Sequence, residues 1–241
     1  MKHLINIQVG WSHRRLSVLE SSEQIFKLLK SLYEVEKRFE NPTLSKLKYD
    51  DVVISLKNTS EVEIISNISQ TILNFSKDDI QKYEDENRLS VEYSRDIGFS
   101  FVLRYNDLAT FNIIIGSSIA GGIATTKLSI ANMSWYFKLL KGVIEVSSVI
   151  EGAIELQDMT FSKSLRVYRA PLGLITYFSN DYEIPIPDDL EGIEYEYTDK
   201  GKYLILTQEN IAKDEAKLEE AKQKLLKTMQ AIADRVPEYK K

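Results

Sequence analysis

From Leu89 to Ile115 apolar residues return at every second position: Val91 and Tyr93, then Phe99, Phe101 and Leu103, then Phe111, Ile113 and Ile115. Period two sends successive side chains to opposite faces of an extended chain, so the stretch predicts an antiparallel meander, turning at Asn106-Asp107. On either side the period changes. Between Ser17 and Phe39, the residues Ile25, Leu28, Leu29, Leu32, Val35 and Phe39 lie three or four apart, which predicts a helix. Asn41-Pro42 ends it, because the residue before proline avoids the helical region. Glu61 to Phe75, Trp135 to Val149 and Asp214 to Arg235 predict three more, the last burying Leu218, Ala221, Leu225, Met229 and Ile232.

Further strands are expected over Leu4 to Val9, Val52 to Leu56, Thr125 to Ile130 and Leu172 to Phe178. A hairpin joins Glu194–Tyr197 to Tyr203–Leu206 across Asp199-Lys200-Gly201, with Gly at the tight position. Strands and helices in separate runs predict an α+β fold, a mostly antiparallel sheet with three to four amphipathic helices packed on it. The 241 residues read as one such domain, which can also be divided into two similar halves near residue 130.

Composition narrows the function classes. With 43% hydrophobic and 28% charged residues the chain is not globally disordered. No cysteine is present, which removes disulfides, thiolate-held zinc and thiol nucleophiles. A net charge of -5 argues against nucleic acid as a partner, since phosphates want a basic patch, and permits a basic protein. The alternating N-terminus is unlike a signal peptide, and the longest apolar run, Phe111 to Ile123, is broken by Ser and Gly and falls short of the roughly 20 residues of a membrane span. A soluble, cytoplasmic protein without a membrane partner is expected.

Chemistry is hard to find. His3 and His13 share parity but would stand roughly 30 Å apart on an extended strand. Gly116-Ser117-Ser118-Ile119-Ala120-Gly121-Gly122 lacks the Lys of a phosphate loop and the spacing of a dinucleotide fingerprint, and reads as a tight turn or bulge. Trp11, with Arg14 and Arg15, is either a lid on the core or a stacking platform. No catalytic residue, cofactor or resident metal is expected.

Charge distribution is more telling. From Ser179 to Asp199 there are eight carboxylates (Asp181, Glu183, Asp188, Asp189, Glu191, Glu194, Glu196 and Asp199) and no Lys or Arg. The remainder holds 31 basic against 28 acidic residues, so the negative excess resides in these 21 positions. Pro185 and Pro187 stiffen the segment, and Tyr177, Tyr182, Tyr195 and Tyr197 are anchors of the kind found at interfaces. Three readings stay open: a surface that steers a basic partner, a solubilising loop, and a divalent-metal site.

Four short motifs carry a resemblance. They are Gly10-Trp11-Ser12-His13-Arg14 before a Leu-rich helix, Phe111-Asn112-Ile113-Ile114-Ile115-Gly116, Gly173-Leu174-Ile175-Thr176-Tyr177-Phe178-Ser179 before Ile184-Pro185-Ile186-Pro187, and Gly201-Lys202-Tyr203-Leu204-Ile205-Leu206-Thr207-Gln208-Glu209 before the last helix. In this order the chain resembles the immunity protein 52 family of bacterial polymorphic toxin systems. The likeness runs nearly full length and is poorest between Asp50 and Arg88, and Leu174 stands where the family motif has tryptophan.

The resemblance implies a non-enzymatic cytoplasmic antitoxin that neutralises a cognate effector, such as a nuclease delivered by contact-dependent or type VI secretion. A nuclease site is basic, so an acidic loop could occlude it. The expected toxin-binding residues are Asp181, Tyr182, Glu183, Asp188, Asp189, Glu191, Glu194 and Glu196. The alternative is a metal-dependent hydrolase using the carboxylates of 181–196 as ligands.

Overall fold

The computed structural model describes residues 5–11, 18–45, 52–85, 99–105, 109–115, 121–124, 133–147, 149–156, 166–167, 170–211 and 213–236. In chain order the first elements are β1 (Ile5–Trp11), α1 (Val18–Val35), a 3-10 turn (Lys37–Phe39), β2 (Thr43–Ser45), β3 (Val52–Val53), α2 (Glu61–Asp85), β4 (Phe99–Tyr105) and β5 (Ala109–Ile115). Then follow β6 (Gly121–Ala124), α3 (Met133–Val146), β7 (Val149–Leu156), β8 (Arg166–Val167), β9 (Ala170–Pro171), β10 (Ile175–Ser179), β11 (Glu194–Tyr197), β12 (Gly201–Ile205) and α4 (Glu215–Arg235). The fold is α+β, and the registered strand pairs are antiparallel. The strands expected at 89–93 and 125–130, the Asn106-Asp107 turn, His3, His13, Arg14 and Arg15 lie outside the described residues.

Two compact units divide the chain, one of Met1–Trp11, Gly122–Lys141 and Val149–Lys241, the other of Ser12–Gly121 and Gly142–Ser148. In the second unit the strand order is β5-β4-β2-β3. Helix α1 buries Ile25, Leu28, Leu29 and Leu32 of the stripe its periodicity predicts, and Phe26 beside them; the helix stops at half-buried Val35, and Phe39 is buried from the 3-10 turn that follows. Its polar Ser22 accepts from Ser69 of α2 at 2.8 Å while donating to the Val18 carbonyl. Small hydroxyls at that crossing satisfy one another and let the helices approach. Helix α2 runs ten residues beyond the expected Phe75: Lys77, Asp78 and Asp79 end the apolar stripe without carrying a helix-breaking residue.

In the first unit the order is β11-β12-β10-β7-β1-β6. Strand β7, which lies between β1 and β10, is absent from the sequence reading, where the third helix runs on to Val149. The helix ends at Val146 instead, and Val149-Ile150 opens a strand. β-branched residues pack on a pleat at little entropic cost, and Gly152 disfavours helix. Gly152 also has a steric role: a Cβ there would stand 3.1 Å from Leu140 of α3 and 3.2 Å from Val9.

Register assigns the two faces of this sheet. Tyr177 opposes both Gly152 and Tyr203, and Tyr203 opposes Glu196 in turn, so these side chains share a face. Helix α3 covers it: Phe137 meets Tyr203 edge-on at 5.1 Å, and Tyr203 meets Tyr177 at 5.0 Å. The opposite face carries Phe178, Lys202, Leu204, Tyr195 and Tyr197. Residues 180–193 fold back over this second face.

Candidate functional site

The acidic segment begins where β10 ends. Leu172 through Phe178 are all buried, so this one of the four short motifs is interior. The Gly173 amide donates to the Thr176 hydroxyl at 2.9 Å, and the Leu174 amide to the Ile154 carbonyl at 2.7 Å. A Cβ on Gly173 would sit 2.3 Å from that carbonyl, which only glycine permits. Gly201 is needed for the same kind of reason rather than for a turn dihedral: its Cβ would lie 2.2 Å from the Phe178 carbonyl, and its φ is not positive.

Beyond Ser179 the chain does not hang free. Ile184, Ile186 and Leu190 are buried, alternating with exposed Glu183 and Pro185. Each buried aliphatic contributes roughly 1.5–3 kcal/mol. Exposed charges 4 Å apart in water repel by only about 1 kcal/mol, so docking outweighs crowding of the carboxylates. Tyr182 packs on Phe178 at 4.8 Å. The Tyr195 hydroxyl accepts from the Leu190 amide at 2.9 Å and donates to the Pro187 carbonyl at 3.1 Å, so it holds both sides of the bend. Burial pushes that phenol above its usual pKa. The bend closes with the Ile193 amide on the Leu190 carbonyl and Gly192 at φ 74°, a turn position that favours glycine.

Three of the eight carboxylates are tied to cations from other elements. Lys202 of β12 clasps the loop, donating to the Ile186 carbonyl at 2.5 Å and to Asp188. This hydrogen bond holds the Asp188 carboxyl below its ordinary pKa. Arg235, at the end of α4, pairs with Asp189. Lys141 of α3 reaches Glu196 at 2.5 Å, its ammonium 4.0 Å from the Phe137 ring centre and 5.5 Å from that of Tyr203. None of these three cations is evident from sequence, since they lie 14, 46 and 55 positions from their partners.

Asp181, Glu183, Glu191, Glu194 and Asp199 are exposed, and no cation among the described residues pairs with them. Asp181, Glu183 and Glu191 belong to the loop, on the Tyr195 side of the sheet, whereas Glu194 and Glu196 project to the α3 side. The eight residues expected to bind a toxin therefore cluster at one border of the sheet but face both sides of it. Of the four tyrosines, Tyr177 is core, its hydroxyl donating to the Lys200 carbonyl at 3.0 Å, and Tyr195 is an internal pin. Tyr197 is open, 61% exposed, and stacks on Tyr195 at 6.2 Å.

Among the described residues no three His, Asp or Glu side chains converge as metal ligands, and no helix is long and apolar enough to cross a membrane. No protein-family model matches the chain, and no curated protein matches it. Among solved structures, Pseudomonas aeruginosa T6SS protein PA0821 is similar with a TM-score of 0.43 and 10% identity, the match covering 84% of this chain and 65% of that one.

Proposed function

We propose that this protein is an immunity protein, binding a basic effector toxin through the acidic border formed by 181–196 and neutralising it without catalysis. The observation that carries the reading is the set of five exposed carboxylates that no cation among the described residues reaches, three of them on a loop held by its own buried residues and two on the hairpin that follows it. A surface that keeps unpaired charge on a fixed backbone loses little entropy on binding and attracts an opposite charge from a distance. The order of the four motifs supports the same class, and the basic phosphate site of a nuclease is the kind of surface such a border complements.

The test begins with affinity capture from the native lysate and asks whether a captured protein kills when expressed alone and is harmless when co-expressed. The interface is then probed with Asp181, Glu183, Glu191 and Glu194 all changed to Lys. None of the four has an ion-pair partner among the described residues, so the fold should persist, while association slows at least about tenfold and its salt dependence flattens. An unchanged on-rate across salt concentrations would place the interface elsewhere. Asp188, Asp189 and Glu196 are poor probes, because reversing them breaks internal ion pairs.

A further inference from the structure

Strand β11 is an outer strand of its sheet among the described residues. Hydrogen-bond parity shows which of its backbone groups are spoken for. Asn180 and Leu206 donate to the carbonyls of Lys200 and Leu174, both at 2.9 Å, so the even-numbered positions 200 to 206 bond toward β10. Thr198 donates to the Gly201 carbonyl at 2.8 Å, so the odd positions bond toward β11. With Glu194 opposite Ile205 and Glu196 opposite Tyr203, the bonded pairs consume the backbone of the two glutamates. The N–H and C=O groups of Tyr195 and Tyr197 therefore point outward along the open edge.

An open edge is a template for another strand unless something discourages it. Here the edge reads Glu194-Tyr195-Glu196-Tyr197. A second copy pairing antiparallel about Tyr195 would set Glu194 against Glu196, and like charges directly opposed are unfavourable. A basic strand meets the reverse situation. Its cations would face Glu194, which no cation among the described residues reaches, and run beside Glu196, which Lys141 already holds, while its alternate aliphatic side chains would lie along the stacked Tyr195 and Tyr197 rings on the other side.

The geometry points to strand addition at β11: the edge accepts an extended segment of a basic protein, with Lys or Arg at every second residue and aliphatic residues between. This mode rests on the immunity reading for its partner and adds to it the contact geometry.

The probe is a synthetic octapeptide of alternating Lys and Val, titrated into the full-length protein labelled for amide NMR. Slowed exchange of the Tyr195 and Tyr197 amides is expected, with their neighbours shifting and the α4 amides unmoved. Tyr197→Pro removes an outward N–H that β12 does not use, and Tyr197→Ala keeps that N–H while trimming the ring. The proline variant should bind about tenfold more weakly than the alanine variant, the effect of one backbone hydrogen bond and a blocked edge. Equal binding by the two variants, or protection of amides elsewhere than β11, overturns strand addition. If the proline variant does not fold, the exchange pattern of the wild-type protein decides alone. Should both variants also hold the captured toxin as the wild type does, the acidic-border reading survives and only this mode of contact falls.

Discussion

The Tyr195 hydroxyl makes two hydrogen bonds to the backbone of the loop it holds, at 2.9 and 3.1 Å. Tyr195→Phe leaves the Leu190 amide and the Pro187 carbonyl without that partner, and the cost is about 1–2 kcal/mol. Urea unfolding should report that loss, and the Leu190 amide should exchange faster in the variant. From sequence, Tyr195 reads as an interface anchor like Tyr197, since parity alone puts both on one face. What separates them is the returning loop, which covers one ring and leaves the other 61% exposed. Gly173 is a second residue whose role emerges only in three dimensions. It lies inside a legible motif, yet its need comes from the Ile154 carbonyl 19 residues earlier, where a Cβ would approach to 2.3 Å. Gly173→Ala should destabilise by about 1–3 kcal/mol through overpacking, read as a lower urea midpoint at unchanged slope.

Among the elements, β10 and the loop after it form one construction. Lys202 binds both the Ile186 carbonyl and the Asp188 carboxylate, tying loop to strand. Because the Asp188 carboxyl is held below its ordinary pKa, it favours the folded state above the usual carboxylate range and loses that effect as pH falls through its folded-state value. The wild type should therefore exceed Asp188→Asn in stability at pH 7 by less than about 1 kcal/mol, the site being well exposed, and the gap should narrow at a second, acidic pH below the usual carboxylate range. Denaturant titrations of both proteins at the two pH values check the sign. Elements with a single clear period, α1 and α4, are legible to within a few residues, and Asp214 caps α4 by accepting from the Lys217 amide. Strand β7 is not legible, because Val149-Ile150 continues the apolar spacing of the preceding helix and only the pairing with β1 and β10 decides between the two.

At the scale of the whole chain, the net charge of -5 equals in size the number of carboxylates in 179–199 that no cation reaches among the described residues. Long-range attraction for a basic partner should accordingly weaken with salt, and added NaCl from 0.05 to 0.5 M should slow association without moving the melting temperature by more than a few degrees. The concentration of acid in one segment is plain in the sequence. Its division into paired and unpaired members is not, since Lys141, Lys202 and Arg235 arrive from distant elements. The docked loop also separates two kinds of position. Ile184, Ile186 and Leu190 determine where the backbone runs, while 181, 183, 185 and 191 face solvent. Such a segment can be rewritten at its outward letters without being refolded, so a lineage could change what this border presents by a few surface substitutions while the interior stays as it is.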